Sequence, residues 1–284
     1  MKKILTIIGL AALTLAGANA AALVWDEVYS NDFSSLALGT SITNSVGGAT
    51  YTGLATSTPA GTLSVAALDS GKGAKFTSNS ASATYFAVTG LALGDVGKLT
   101  FDINVTTMSS TSGQGLYIYL GQDTGMNAGT LANANRAATV RVGPNGQVAY
   151  QKGTYGTGGS TSYTTLGAAN NMSLTGTQSI ELVYNLSGAD ILYSGVTIAN
   201  GCYILTLNGT VLTNPDTSTS NFVMTRDQVT GNIVDITAFR IESQGSDFTI
   251  GNIKMYSGSP IPEPSTWLLL GVGVTAVAIF RRRK

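Results

Sequence analysis

The chain has 284 residues, 43% hydrophobic and only 11% charged, with 15 basic and 15 acidic side chains, no histidine and one cysteine. The missing histidine excludes Ser-His-Asp and Cys-His catalysis and most zinc sites, and a lone cysteine excludes an intramolecular disulfide. Six of the basic residues (Lys2, Lys3, Arg281, Arg282, Arg283 and Lys284) and one acidic residue (Glu263) lie in the terminal segments, which leaves nine against fourteen in between. That net charge of about −5 argues against nucleic acid or anionic lipid as a partner.

In chain order, MKKILTIIGLAALTLAGANA opens with two lysines, continues with an apolar stretch from Ile4 to Leu15, and places Ala18 and Ala20 in the A-x-A spacing of a signal peptidase site. Residues 1–20 are therefore expected to be a signal peptide and residues 21–258 an exported body, with the tail from 259 to 284 forming a separate segment.

The body reads as strands separated by loops of Gly, Ser, Thr and Asn. KLTFDINVTT sets Leu99, Phe101, Ile103 and Val105 on one face against Thr100, Asp102, Asn104 and Thr106 on the other, the alternation of a half-buried strand. GLYIYL repeats it, with Leu116, Ile118 and Leu120 inward and Tyr117 and Tyr119 facing the other way. Asn145-Gly146 and Asn208-Gly209 each stand between strand-like arms and predict hairpins, because Asn-Gly tolerates the positive φ of tight turns. SIELVYNL, GCYILTL and VDITAFRIES add further strands, and Cys202 in GCYILTL reads as a buried small hydrophobe. In DFTIGNIKMYS the apolar positions change parity between Ile250 and Ile253, which predicts a bulge at Gly251 or Asn252. No long 3.6-residue period occurs in the body, so helix is expected to be scarce.

Ten or more such strands, each with one apolar face, predict an all-β, two-sheet, jelly-roll-like sandwich. A β-helix is the competing architecture, but no regular repeat supports it. The opening DFSSLALGT, the hairpin at Asn208-Gly209 and the closing FTIGNIKMYS resemble concanavalin A-like (laminin-G-like) sandwiches.

The tail, IPEPSTWLLLGVGVTAVAIFRRRK, has an uncharged run from Trp267 to Phe280 followed by Arg281, Arg282, Arg283 and Lys284. The run favours lipid and the basic end favours the cytoplasm, so a short transmembrane helix with a basic membrane stop is expected. At ~1.5 Å per residue such a run is shorter than a ~30 Å hydrocarbon core, which makes it a thin anchor. Pro262 and Pro264 disfavour helix just before it and keep the segment around Glu263 extended. Pro262, Glu263 and Pro264, then an apolar helix, then terminal arginines, resemble the PEP-CTERM sorting signal of Gram-negative bacteria. That resemblance implies an exosortase as partner, an inner-membrane intermediate, and delivery to the cell surface or extracellular matrix.

For catalysis, glycan hydrolysis on a sandwich uses carboxylates aligned on one strand, and no E-x-D-x-x-E pattern is present. Glu181 stands alone, Glu242 and Asp247 are split by a short loop, and Asp26 and Glu27 point to opposite faces if extended; each is expected to be a solvated charge. Sandwiches of this kind can hold calcium, but DTGMN, from Asp123 to Asn127, is too sparse for a site, and no cofactor is expected. Tyr150, Tyr155 and Tyr163 lie in a Gly- and Ser-rich stretch, where exposed rings could stack on the sugars of an extracellular polysaccharide, although local packing is the plainer reading. The expected function is therefore that of a noncatalytic surface or matrix protein, with a lectin-like glycan-binding module as the alternative and a glycoside hydrolase behind it.

Overall fold

The computed structural model describes residues 23–42, 61–78, 83–123, 126, 135–152, 162–224 and 235–260. In chain order the strands are β1 (Leu23–Asn31), β2 (Gly61–Leu68), β3 (Gly71–Ser78), β4 (Ala83–Val88), β5 (Val96–Thr107), β6 (Gly115–Gly121), β7 (Arg136–Val142), β8 (Val148–Lys152) and β9 (Ser162–Thr165). They continue as β10 (Thr177–Asn185), β11 (Ile191–Tyr193), β12 (Val196–Ile198), β13 (Cys202–Leu207), β14 (Thr210–Val211), β15 (Phe222–Val223), β16 (Ala238–Gln244) and β17 (Asp247–Pro260). No α-helix occurs among the described residues.

Two large sheets form a sandwich. The nine-stranded sheet runs β14-β13-β10-β5-β17-β3-β2, with β1 on β17 and β15 on β13; the six-stranded sheet runs β4-β16-β6-β7-β8-β9. A ribbon organises both. β16 and β17 are consecutive but belong to different sheets, and each is flanked by a matching pair: β4 and β6 beside β16, β3 and β5 beside β17. The chain therefore passes from sheet to sheet beside the closing ribbon, and the two inner faces meet in one core. Leu99, Phe101 and Ile103 of β5 and Leu116, Ile118 and Leu120 of β6 are all buried in it. Tyr29 packs edge-on against Phe239 of the other sheet with ring centroids 5.7 Å apart.

The local expectations for turns hold, each for its stated reason. Leu207 pairs with Thr210 around Asn208 (φ 50°) and Gly209 (φ 77°), a two-residue hairpin with both central residues at positive φ. The other Asn-Gly joins β7 to β8 through a longer loop, in which Gly143 N–H donates to the Gln147 carbonyl and Asn145 and Gly146 take φ of 57° and 72°. In β17 the register against β5 shifts between Gly251 and Lys254, and Asn252 takes φ 49°. This bulge turns Ile253 and Met255 inward after Phe248 and Ile250, so all four are fully buried. It also divides one edge of β17, with β3 pairing along residues 248–251 and β1 along 253–260. β17 runs past the expected body boundary at 258 to Pro260. Cys202 is buried, as the sequence led us to expect, within a second apolar cluster with Val96, Val183, Ile191, Ile198 and Ile204.

Candidate functional site

On the outer face of the nine-stranded sheet the polar alternates of four neighbouring strands line a groove of about 460 Å³. The pairing dictates its layout. Lys254 lies opposite Thr100, Thr100 opposite Glu181 and Glu181 opposite Thr206, so β17, β5, β10 and β13 each contribute to one transverse row. Asp102 lies opposite Ser179, which makes it the diagonal neighbour of Glu181, about 7–8 Å away at the backbone. The bulge residue Asn252 donates through Nδ2 to Asp102 Oδ2 at 2.6 Å, and Ser70 Oγ donates to the same oxygen at 3.0 Å. Glu181 accepts from the Tyr193 hydroxyl at 2.9 Å. Burial, and then the nearby Glu181 charge, push the Tyr193 phenol well above its ordinary pKa.

An aromatic cage closes one end of this surface. Lys98 Nζ lies 4.7 Å from the Trp25 ring centroid, 4.5 Å from Tyr256 and 5.7 Å from Tyr193, and Trp25 meets Tyr193 edge-on. Burial lowers the Lys98 pKa, and the Glu181 carboxylate opposes that shift. Chemically, the groove offers two held carboxylates, an exposed ammonium on Lys254 and several hydroxyls, a set suited to hydrogen-bonding a polyhydroxylated ligand. Lys254 also faces Glu27 at 3.6 Å, a partly exposed pair of small energetic weight.

The outer face of the six-stranded sheet is unlike an ordinary solvated face. Arg240 and Glu242 of β16 are 1% and 3% exposed and form an ion pair at 2.5 Å. Arg240 Nη1 donates to the Met126 carbonyl at 3.1 Å, and its guanidinium lies 3.5 Å from the Tyr85 ring centroid. Gln244 Nε2 donates to Glu242 Oε1 at 2.5 Å. Glu242 is therefore not the solvated charge that the sequence led us to expect; its neighbours on three strands enclose it. Tyr117 and Tyr119 do face away from the main core, as the alternation requires, yet both are buried there and stack with an interplanar angle of 7°. Burial raises the pKa of both phenols.

The tyrosines singled out as sugar contacts are dispersed. Tyr150 is only 4% exposed and packs edge-on against Phe222 in the main core, so its ring faces are closed to a ligand, in line with local packing and not with a sugar contact. The alternation of β8 turns it inward. Its hydroxyl donates to Asn214 Oδ1 at 3.1 Å and to the Asp216 carboxylate, which Lys152 also meets at 3.0 Å. Tyr163 is half-buried, between Tyr117 and the Arg141 guanidinium. Tyr155 lies outside the described residues, as do Ala18, Ala20, Pro262, Glu263, Pro264, Arg281, Arg282, Arg283 and Lys284. Asp26 and Glu27 are both exposed, on the regular stretch of β1 where they pair with Ser257 and Tyr256.

The Tyr150 contacts have a measurable consequence. Burial first, and then the hydrogen bond and charge of Asp216, push its pKa up to about 12. A phenol that keeps its proton longer when folded than when unfolded contributes stability that is full below pH ~10 and is lost as pH rises toward the folded value. Denaturant unfolding at pH 9 and 11.5 is expected to show lower stability at the higher pH, and Tyr150→Phe is expected to flatten that slope.

The sequence did not single out Asp102, Asn252, Lys254 or Trp25 as functional, and their signal was present only in part. The polar alternates of KLTFDINVTT and the predicted bulge were visible, but the strands that would lie beside them were not.

Residues 260–284 match the PEP-CTERM protein-sorting motif. The chain carries a PEP-CTERM sorting signal. No curated protein matches the chain significantly. Among solved structures, domain 4 of AbnA, a GH43 extracellular arabinanase from Geobacillus stearothermophilus, is similar over 86% of this chain and 96% of its own, at 12% identity and a TM-score of 0.43. An endo-1,3-beta-glucanase from Streptomyces sioyaensis is similar over 84% and 99%, at 11% identity and a TM-score of 0.43. The lectin UEA-II, solved with galactose, is similar over 70% and 91%, at 10% identity and a TM-score of 0.35. At these identities and scores the likenesses bear on neither ligand nor activity. The PEP-CTERM segment follows directly from β17, whose last residue, Pro260, is the first of the match.

Proposed function

We propose that the protein is an exported, noncatalytic cell-surface or extracellular-matrix protein whose C-terminal signal is processed by an exosortase. The match of residues 260–284 to the PEP-CTERM motif carries this reading. In it, residues 1–20 are a signal peptide cleaved after Ala20, the body is exported, and the run from Trp267 to Phe280 holds the chain briefly in the inner membrane with Arg281–Lys284 inside. Among the described residues no helix is long and apolar enough to cross a membrane, and this run lies outside them. The body is a jelly roll, a description favoured by the β16–β17 ribbon passing between sheets with matched partners on either side. The noncatalytic assignment draws on the absence of histidine and on Glu242 being spent in an ion pair.

The test is the fate of the tail in a cognate host. With Pro262, Glu263 and Pro264 changed together to Ala, membrane insertion is expected to persist while the shortened, outward-moving form disappears, read by fractionation and mass spectrometry of the carboxyl terminus. Equal release of variant and parent would reduce Pro-Glu-Pro to a linker.

The outer groove favours a second reading, a glycan-binding module. Asp102 and Glu181 face one open groove from adjacent strands, and Asp102→Asn with Glu181→Gln is the variant to compare with the parent on a glycan array. A hydrolytic rate lost in that variant by ~100-fold or more, the scale of general acid-base catalysis, would replace both readings with a glycoside hydrolase.

A further inference from the structure

Four large apolar residues are exposed among the described residues: Val24 (47%), Leu38 (60%), Leu192 (42%) and Val223 (54%). Three of them lie at one end of the nine-stranded sheet. The pairing defines that end as a transverse row in which Gly258 meets Val96, Val96 meets Asn185, Asn185 meets Cys202 and Cys202 meets Val223. Val24 is opposite Ser259, one position along the same strand. Leu192 sits on the β11–β12 ribbon, which Asn185 ties to this end by donating through Nδ2 to the carbonyls of Ala189 (2.8 Å) and Ile198 (2.9 Å). The fourth residue is elsewhere. Gly39, next to Leu38, donates to the Val65 carbonyl, and the register runs from Val65 through Ala74 to Ile250. Ile250 is eight residues before Gly258 in β17, roughly 25 Å along a strand.

This is also the end from which the chain leaves for the sorting signal. β1 is zipped to β17 as far as the pair Leu23 and Pro260, and only Ile261–Thr266 separate Pro260 from Trp267. Six residues reach about 20 Å when fully extended, less than the span of the body. The end that carries the exposed apolar residues is thus the end that a membrane-inserted tail holds against the lipid.

We propose that the end of the nine-stranded sheet bearing Val24, Leu192 and Val223 is a membrane-facing surface that rests in the lipid headgroup region while the tail is inserted. The proposal rests on the reading of residues 267–284 as an anchor. The occupant is the lipid interface itself. Asp26, Asp95 and Asp190 are exposed in the segments that form this end, so the contact draws on apolar area and on the short tether and not on charge, and zwitterionic lipid suits it better than anionic lipid. The surface dips apolar side chains into the interface while the aromatic cage of Trp25, Tyr193 and Tyr256 around Lys98 stiffens the strands behind it. Once the tail is removed the tether is gone, and the remaining apolar area is too small to hold the body on lipid, so the body leaves.

The test uses the full chain reconstituted into zwitterionic vesicles that carry a headgroup-attached nitroxide quencher. A fluorophore is placed at Leu192→Cys, Val223→Cys or Leu38→Cys in a Cys202→Ala background, with circular dichroism to verify folding. Labels at 192 and 223 are expected to be quenched several-fold more than the label at 38. A Gly-Ser insert of about 20 residues after Pro260, with roughly 25 Å of r.m.s. reach, separates the surface from the tether. With Val24 and Leu192 kept, the label at 223 is expected to keep its preference over 38; with Val24→Ser and Leu192→Ser added, the preference is expected to vanish. Flotation with equal quenching at all three positions overturns the orientation, and loss of preference on linker insertion alone overturns the lipid-contacting role. Failure of the full chain to float with the vesicles overturns the anchor reading, and the proposal with it.

Discussion

Arg240→Met alone is expected to lower the stability of the body by about 3–5 kcal/mol, because it leaves the Glu242 carboxylate buried without its partner. For a domain of this size that corresponds to a fall in Tm of roughly 10 °C. Arg240 and Glu242 are 1% and 3% exposed, so water cannot screen the orphaned charge. Replacing both residues together, Arg240→Met with Glu242→Leu, removes the charge and its counter-charge at once and is expected to be near neutral or stabilising, since desolvation of a buried pair largely offsets its attraction. Thermal unfolding of the two single variants and the double, followed by circular dichroism, checks this. A double variant as unstable as Arg240→Met would mean that the pair is coupled to the surrounding Tyr85, Gln244 and Met126 contacts too strongly to be treated as a unit.

The second large effect lies in the core. Phe248 is fully buried, pairs with Phe76 across β17 and β3, and stacks on its ring with centroids 4.6 Å apart. Phe248→Ala removes a whole ring where neighbours from two strands cannot collapse, and is expected to cost about 3–5 kcal/mol. Val223→Ala, at a site 54% exposed, is expected to change stability by no more than ~0.5 kcal/mol. Urea unfolding of the two variants side by side measures the contrast. A small effect at Phe248 would mean that the core there repacks, and would weaken the view that the β16–β17 ribbon is the axis of the sandwich.

Features decided over a few residues were legible beforehand. The buried and half-buried residues of β5 alternate as KLTFDINVTT predicts, because side-chain period and strand geometry are the same fact. The Asn208-Gly209 turn was legible because few dipeptides accept two positive φ values in succession. The bulge at Asn252 showed as a parity change, because a half-buried strand cannot alter its inward set without an extra residue. The reading of Glu242 as a solvated charge went astray, and the depth at which Tyr150 packs was not legible, for a common reason. A strand's pattern says that two residues share a face, but not what covers that face. Glu242 alternates with Arg240 on a side that looks solvated until Tyr85 of β4 and Tyr117 of β6 are seen beside it. Tyr150 sits at the start of a loop-like, Gly-rich stretch, yet β8 turns it into the core.

The outer groove lies still further from what sequence can reveal. Thr100, Asp102, Glu181, Thr206 and Lys254 come from four strands whose adjacency depends on non-local pairing, and a shift of one residue in any of them would turn its polar set inward. The same pairing sets Leu23 opposite Pro260, the residue at which the match to the sorting motif begins.

By itself, then, the sequence determined the all-β class, the position of two turns and a bulge, and the sorting signal at residues 260–284. Each of these is written in contiguous residues and depends on local backbone preference, strand period or a linear motif. Only the tertiary structure decided which charges are buried, which polar residues share a groove, and which apolar residues gather at the end of the sheet where the chain departs for its signal. Those depend on which strands become neighbours and in what register, a choice made by the joint burial of both sheets and not by any strand alone.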